Sequence, residues 1–368
     1  MRFPEFHGEW EKCKLGDIAT LTKGSGISKD QRSATGTPCI LYGELYTTYK
    51  SEVINYVVSK TDISDKNLVR SCANDIIIPS SGETAIDIST ARCVLSPDVL
   101  LGGDLNIIRL KDGDGRFFSY QLNGVRKYDI AKIAQGVSVV HLYGESIKGL
   151  TVSFPSNKEQ QKISTLLSLI DERIATQSKL IEMLESLIKG IRHNIFKDIL
   201  GEVLALSNIA DIYQPQTISA SDLTTEGYWV YGANGIIGKY KEYNHETEQI
   251  CITCRGNTCG TVNYTRPKVW ITGNSMVINT DKYQQQVNKR FLLHYLSSYN
   301  FKSIVSGSGQ PQIVRTPLEK IKVVLPTIEK QVRIANSIDI VSEKINTESS
   351  VLKLLENQKQ YLLRQMFI

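Results

Sequence analysis

VSFPSNKEQQKISTLLSLIDERIATQSKLIEMLESLIKGIRHNIF (Val152 to Phe196) has a gapless counterpart 171 positions later, VVLPTIEKQVRIANSIDIVSEKINTESSVLKLLENQKQYLLRQMF (Val323 to Phe367). Pro155 matches Pro326, Gln160 matches Gln331, Glu172 matches Glu343, and Leu184, Glu185 and Phe196 match Leu355, Glu356 and Phe367. A fainter echo precedes each block: LGDIA (Leu15 to Ala19) resembles LSNIA (Leu206 to Ala210) at an offset of 191. A repeat of this size is a duplicated structural unit. The chain therefore divides into a domain (residues 1–154), a long helix (155–198), a second domain (199–325) and a second long helix (326–368).

Both repeated blocks read as helices with one apolar seam. Ile163, Leu167, Ile170, Ile174, Gln177, Ile181, Leu184, Ile188, Ile191 and Ile195 follow at alternating steps of four and three, the spacing that turns one stripe toward a partner helix. The second stripe is Ile334, Ile338, Val341, Ile345, Glu348, Leu352, Leu355, Lys359, Leu362 and Met366. Its polar member Glu348 takes the place of Gln177, and the two read either as a buried pair fixing register or as solvated side chains at a loose seam. Each block opens on a proline, and Ser156 with Glu159 has capping-box spacing. About 40 residues make a rod of roughly 60 Å. A compact second domain could scarcely return the chain along such a rod, so the helices are expected to run antiparallel, related by a pseudo-two-fold axis.

Residues 1–154 and 199–325 have another texture. Short β-branched runs such as EVINYVV (52–58), DIIIPS (75–80), LNIIRL (105–110), QICITC (249–254) and KVWITG (268–273) are broken by Gly, Asn and Ser. Helices are expected at 117–128 and 288–299, each leading to a Gly/Ser loop and a strand that runs into the long helix. The fold class is α+β: two mixed, mostly β domains with short helices, separated by two long antiparallel coiled-coil helices.

Of 368 residues, 43 are Lys or Arg and 38 Asp or Glu, and 41% are hydrophobic, a composition of ordinary globular domains. No apolar run approaches the roughly 18–20 residues of a membrane span, and MRFPEFHGEW lacks a signal's apolar core, so a cytoplasmic protein is expected. Seven scattered cysteines are expected to be reduced thiols. Catalytic signatures are missing: there is no phosphate-binding loop, no His-Glu-x-x-His helix, no nucleophile elbow and no Asn/Asp-Pro-Pro-Tyr/Phe tetrapeptide. Cys251, Cys254 and Cys259, with His245, are the one tempting metal set. In a strand Cys251 and Cys254 point to opposite faces, which favours free thiols.

These features resemble the specificity subunit of type I restriction-modification systems over essentially the whole chain. Phe3 to Gly24, with GEW then LGDI, looks like that family's opening, and PSNKEQQKI (Pro155 to Ile163) looks like its Pro-x-x-x-Glu-Gln helix start. VYGANGIIGKYKEY (Val230 to Tyr243), TCRGNTCGTVNY (Thr253 to Tyr264), WITGNSMVI (Trp270 to Ile278) and GSGQPQI (Gly307 to Ile313) resemble one class of target recognition domain. ILYGELYTTY (Ile40 to Tyr49) resembles another. In PTIEKQVRI the Glu-Gln dipeptide is broken by Lys330, read here as drift at a capping position. The resemblance implies a non-catalytic ruler: each domain reads one half of a split, asymmetric site in double-stranded DNA, and the helices set the spacer. Two methyltransferase subunits, which carry S-adenosylmethionine, would methylate adenine at N6 after base flipping, and motor-nuclease subunits can join to cleave unmethylated DNA.

Base reading needs polar groups on loops that enter a groove, with cations nearby for phosphates. In the first domain the candidates are Lys23, Ser25, Lys29, Arg32, Tyr42, Glu44, Ser81, Gln135 and Ser138. In the second they are Tyr231, Asn234, Lys239, Arg255, Asn257, Thr258, Asn274, Ser308, Gln310 and Gln312. Each also fits an ordinary turn. The other reading of the whole chain is a coiled-coil scaffold or stand-alone regulator without methyltransferase partners. Residues 1–154 carry 18 basic and 18 acidic side chains and residues 199–325 carry 12 and 9, so neither domain is strongly basic. Weak DNA binding by the chain alone is the expectation.

Overall fold

The computed structural model describes residues 1–64, 67–233, 235–307 and 309–367. It consists of two compact units, one of residues 1–178 with 350–368 and one of residues 179–349. Each unit holds a globular domain, half of one long helix and half of the other.

The long helices span Asn157–Lys197 and Ile328–Gln365. In the first unit Ile163, Leu167 and Ile170 share a core with Leu362, Met366 and Phe367, while Asp171 meets Lys359. In the second, Phe196 shares a core with Ile334 and Ala335. Early residues of one helix thus lie beside late residues of the other in both units, which is the antiparallel arrangement. All twenty seam positions are buried or half-buried, Ile191, Val341, Leu352 and Leu355 included. The exposed apolar side chains of the helices, such as Leu169, Met183, Ile340 and Leu354, lie off the seam. At the ends, however, the seam packs into a domain core, with Ile163 and Leu167 against the cluster of Phe117, Phe118 and Leu15. The heptad spacing alone does not distinguish those two uses of an apolar face. Glu348 pairs with Lys344 one turn earlier on its own helix.

One strand clamps each helix to its domain. Glu11–Lys14 pairs antiparallel with Thr151–Phe154, and Glu202–Ala205 with Lys322–Leu325. Glu11 stands opposite Phe154 as Glu202 stands opposite Leu325, so both sequence offsets, 191 and 171, are structural equivalences. The Leu15 N–H donates to the Leu150 carbonyl and the Leu206 N–H to the Ile321 carbonyl, each at 2.8 Å. The LGDIA echo therefore marks a helical turn, Leu15–Ile18 in one copy and Leu206–Asn208 in the other, docked on the strand that feeds the long helix.

At the helix starts the shared residue is glutamine. Gln160, 1% exposed, accepts the Asp114 N–H at 3.0 Å and donates to the Pro155 carbonyl at 2.8 Å. Gln331 accepts the Asn288 N–H at 2.8 Å and donates to the Pro326 carbonyl at 2.9 Å. Asp114 and Asn288 cap equivalent helices, Gly115–Asn123 and Lys289–Ser298, so one side chain ties three segments together. This corrects the capping reading of Glu159. Its carboxylate takes a forked pair of bonds from Arg2, Nε at 2.7 Å and Nη2 at 2.8 Å, so Lys330 can stand in its place without harm to the joint.

The main sheets share one plan. In the first domain the order is 19–23, 105–110, 75–79, 92–94 and 53–54; in the second it is 211–213, 275–279, 250–253 and 262–264. A small sheet accompanies each: 60–61, 37–40, 100–101 in one, and 235–240, 228–232, 270–271 in the other. EVINYVV yields a strand only at Val53–Ile54 and KVWITG only at Trp270–Ile271, because neither run has a ladder partner along its length. The expected helix at 117–128 is instead two, Gly115–Asn123 and Lys127–Ile133, broken at Gly124. The two domains differ in the chain after the first small-sheet strand. In the first domain a helix follows at Glu44–Thr47, whereas in the second the strand Tyr228–Gly232 is followed by its antiparallel partner, Gly235–Tyr240.

Candidate nucleic-acid interface

In the first domain the candidates fall into two adjoining groups. Lys29, Arg32, Tyr42 and Glu44 line a cleft of about 1030 Å³, with Thr47 and Asp104 on its wall. Lys23 is exposed at the end of its strand beside it. Glu44 does not offer its carboxylate outward. It is 6% exposed, accepts the Leu41 N–H at 2.8 Å and the Ser59 hydroxyl, and lies 3.6 Å from Arg32. Ser25 is likewise engaged, accepting the Val69 N–H at 2.8 Å. Asp104 links this cleft to the second group, since its carbonyl accepts the Ser80 N–H at 2.7 Å.

The second group is a junction of three backbone segments. Ser81–Gly82 pairs with Val140–His141, and the loop from Gln135 to His141 closes on itself through mutual bonds of 2.9 and 2.7 Å between Gln135 and His141. Gly136 sits at φ +122°, and a Cβ there would lie 2.1 Å from the Val139 carbonyl oxygen, so the loop requires glycine. Gln135 and Ser138 are exposed on it.

The second domain builds the same junction. Ser306 and Gln312 exchange bonds of 2.8 Å each, Arg255 bridges to Gln312, and Gly307 takes φ +88° where Gly136 takes +122°. Arg255, Asn257, Gln310 and Gln312 are exposed here. Arg255 and Gln312 line a cleft of about 340 Å³ with Gln214 and Arg315. Thr258 and Asn274 are half-buried; the Asn274 carbonyl accepts the Cys254 N–H at 3.0 Å. Tyr231 is 8% exposed and packs in a core cluster with Val269 and Ile271, so it supports the site from beneath. Lys239 lies 4.9 Å above the Trp229 ring. Asn234 and Ser308 lie outside the described residues.

Reading the sequence missed Gln214, Arg315, His141 and Tyr143. The 171 offset carries the signal for His141, which falls on Gln312, and the 191 offset carries it for Gln214, which falls on Lys23. Cys251, in the strand Ile250–Thr253, and Cys254, just past its end, belong to different core clusters, and burial pushes the Cys251 thiol up to about 12. His245 is buried against Tyr213, whose hydroxyl lies 2.9 Å from Nε2, and burial lowers it to about 4. Among the described residues no group of three His, Cys, Asp or Glu is placed to hold a metal ion. No helix among them is long and apolar enough to cross a membrane.

The family of type I restriction modification DNA specificity domains matches residues 7–186 and 201–357. A specificity subunit of the type I restriction enzyme EcoprrI from Escherichia coli is 26% identical over 43% of this chain and 40% of its own length. The putative type I restriction enzyme MjaX specificity subunit of Methanocaldococcus jannaschii is 24% identical over 98% of this chain and 93% of its own. In fold, the chain matches the crystal structure of the type I restriction-modification S subunit from M. genitalium, with a TM-score of 0.71, 19% identity and coverage of 100% and 99%. The family match, covering both domains and most of both helices, assigns the chain to the type I restriction-modification DNA specificity family, as a non-catalytic specificity subunit.

Proposed function

We propose that the chain reads a bipartite, asymmetric sequence in double-stranded DNA and directs N6-adenine methylation, and cleavage of unmethylated DNA, by partner subunits. Residues 1–154 and 199–325 are the two reading heads, and residues 155–198 and 326–368 are the spacer. The observation that carries the reading is the repeated junction: one backbone scaffold, present twice, bears unlike exposed side chains, as two heads for unlike half-sites need. Two methyltransferase subunits that hold S-adenosylmethionine supply the chemistry, and motor-nuclease subunits join them for cleavage. The complex works in the cytoplasm, where its DNA is. Lys23, Lys29 and Arg32 in the first head, and Lys239, Arg255 and Arg315 in the second, meet phosphates or guanine edges, while Gln135, Asn257, Gln310 and Gln312 offer paired donors and acceptors.

Expression with its methyltransferase in a host without that modification, followed by mapping of N6-methyladenine, tests this. A split motif that depends on the chain is expected. Replacing residues 1–154 with another first domain should alter one half only. A motif that persists without the chain would overturn the proposal.

A further inference from the structure

We propose that His141 is a base-reading residue of the first domain, acting from the position at which Gln312 acts in the second. The inference rests on the DNA-reading function proposed above and goes beyond it to one side chain.

Two observations converge on this position. First, the backbone around it is the same in both domains. The Gln135–His141 closure matches Ser306–Gln312, the Leu142 N–H donates to Ser80 at 2.9 Å as the Ile313 N–H donates to Cys254 at 3.0 Å, and the tight glycine recurs at Gly136 and Gly307. Second, the side chains on this common frame differ: half-buried Ser81 against exposed Arg255, and, all exposed, Gln135 against Ser306, His141 against Gln312, Tyr143 against Val314. A frame kept while its outward groups change suits a reader whose two targets differ.

The imidazole has the right chemistry. A neutral imidazole has one donating and one accepting nitrogen on opposite edges of the ring, so it can direct one hydrogen bond at a base edge, where a carboxamide can direct the two that adenine matches. His141 is exposed and lies stacked on the exposed Tyr143 ring, centroids 6.2 Å apart and planes 28° apart, which fixes the imidazole plane at the rim. Its backbone N–H and carbonyl are both taken by Gln135, so the strand ladder holds the residue in place whatever its side chain.

The test uses the full chain assembled with its methyltransferase subunits. Binding is measured by competition with duplexes in which each base pair of the two half-sites is replaced in turn. His141→Ala should lower discrimination at one base pair of the first half by about tenfold or more, the scale of a good side-chain-to-base pair, and leave the second half untouched. Gln312→Ala should do the reverse. His141→Gln should move the preference toward adenine at that same base pair. Val139→Ala, on the same loop but with no side-chain donor or acceptor, should leave the profile as it is. Unchanged discrimination in His141→Ala, or an affinity loss spread evenly over all positions, overturns the inference. If the parent complex itself shows no discrimination in two halves, it is the proposed function that fails.

Discussion

The Lys359 ammonium lies 2.6 Å from Asp171 Oδ1, joining the end of the second long helix to the start of the first inside the first unit. Glu52 of the domain completes an ion triad with Lys359, and Asp171 Oδ2 also accepts the hydroxyls of Tyr120 and Ser51 at 2.8 Å each. Burial alone would lower the lysine, but Glu52 and Asp171 together hold it above its ordinary value. Lys359→Met leaves two buried carboxylates without their cation and should cost about 3–5 kcal/mol in urea unfolding followed in the first unit. Adding Glu52→Gln and Asp171→Asn should recover part of that loss.

Gln160→Leu and Gln331→Leu should each destabilise their own unit. Each removes the partner of a helix-cap N–H and of a proline carbonyl, in a site where the glutamine is 1% exposed. A loss of about 2–4 kcal/mol follows from two stranded polar groups. Hydrogen exchange should locate it at the start of the matching long helix.

Acid should weaken the second unit first. Burial, against the pull of Asp339, lowers His294 to about 4, and its Nε2–H therefore donates to Asp339 at 2.8 Å while Nδ1 accepts from Arg192 at 3.1 Å. With His245 also at about 4, two imidazoles are neutral in the folded state below the ordinary value of 6.5. The unfolded chain then binds more protons, so stability is full above pH 6.5 and falls as pH drops toward 4, by roughly 1–3 kcal/mol for each histidine. Exchange protection at pH 7 and pH 4.5 should fall in residues 179–349, and His294→Gln should flatten that fall.

Gly136→Ala and Gly307→Ala should damage the two junction loops proposed to read DNA without unfolding the domains. Each adds a Cβ at positive φ, within 2.1 Å of the Val139 carbonyl oxygen or 2.5 Å of that of Gln310. A local cost of about 1 kcal/mol or more is expected from the backbone alone. Methylation mapping should show relaxed choice in one half of the target for each variant.

The chain without its partners should bind DNA weakly. With 18 basic and 18 acidic side chains in residues 1–154, few phosphates are neutralised, so log affinity should fall only shallowly with log salt, and steepen when the methyltransferase subunits are added.

Local periodicity is legible in a sequence, because a helix places its neighbours by spacing alone; this is why the two long helices, their seam from Ile163 to Met366 and the duplication were readable. The same spacing also marked Lys359 as a seam position, but only the fold brought Glu52 to it, 307 residues away. Strand pairing is not local. Nothing in LGDIA or LNIIRL names its partner, so the sheet order, and the use of the 191 and 171 offsets as two ends of one clamp, came from tertiary contacts. The site divides in the same way. Glycine and polar loops marked Arg255, Gln310 and Gln312, whereas burial decided that Glu44 and Tyr231 face inward, and pairing between segments distant in sequence placed His141 on the junction of the first domain and, separately, Arg315 on the cleft of the second. The sequence by itself determined the repeat and its rods; which side chains meet solvent at the loops is set by what packs beneath them, and that only the tertiary structure decided.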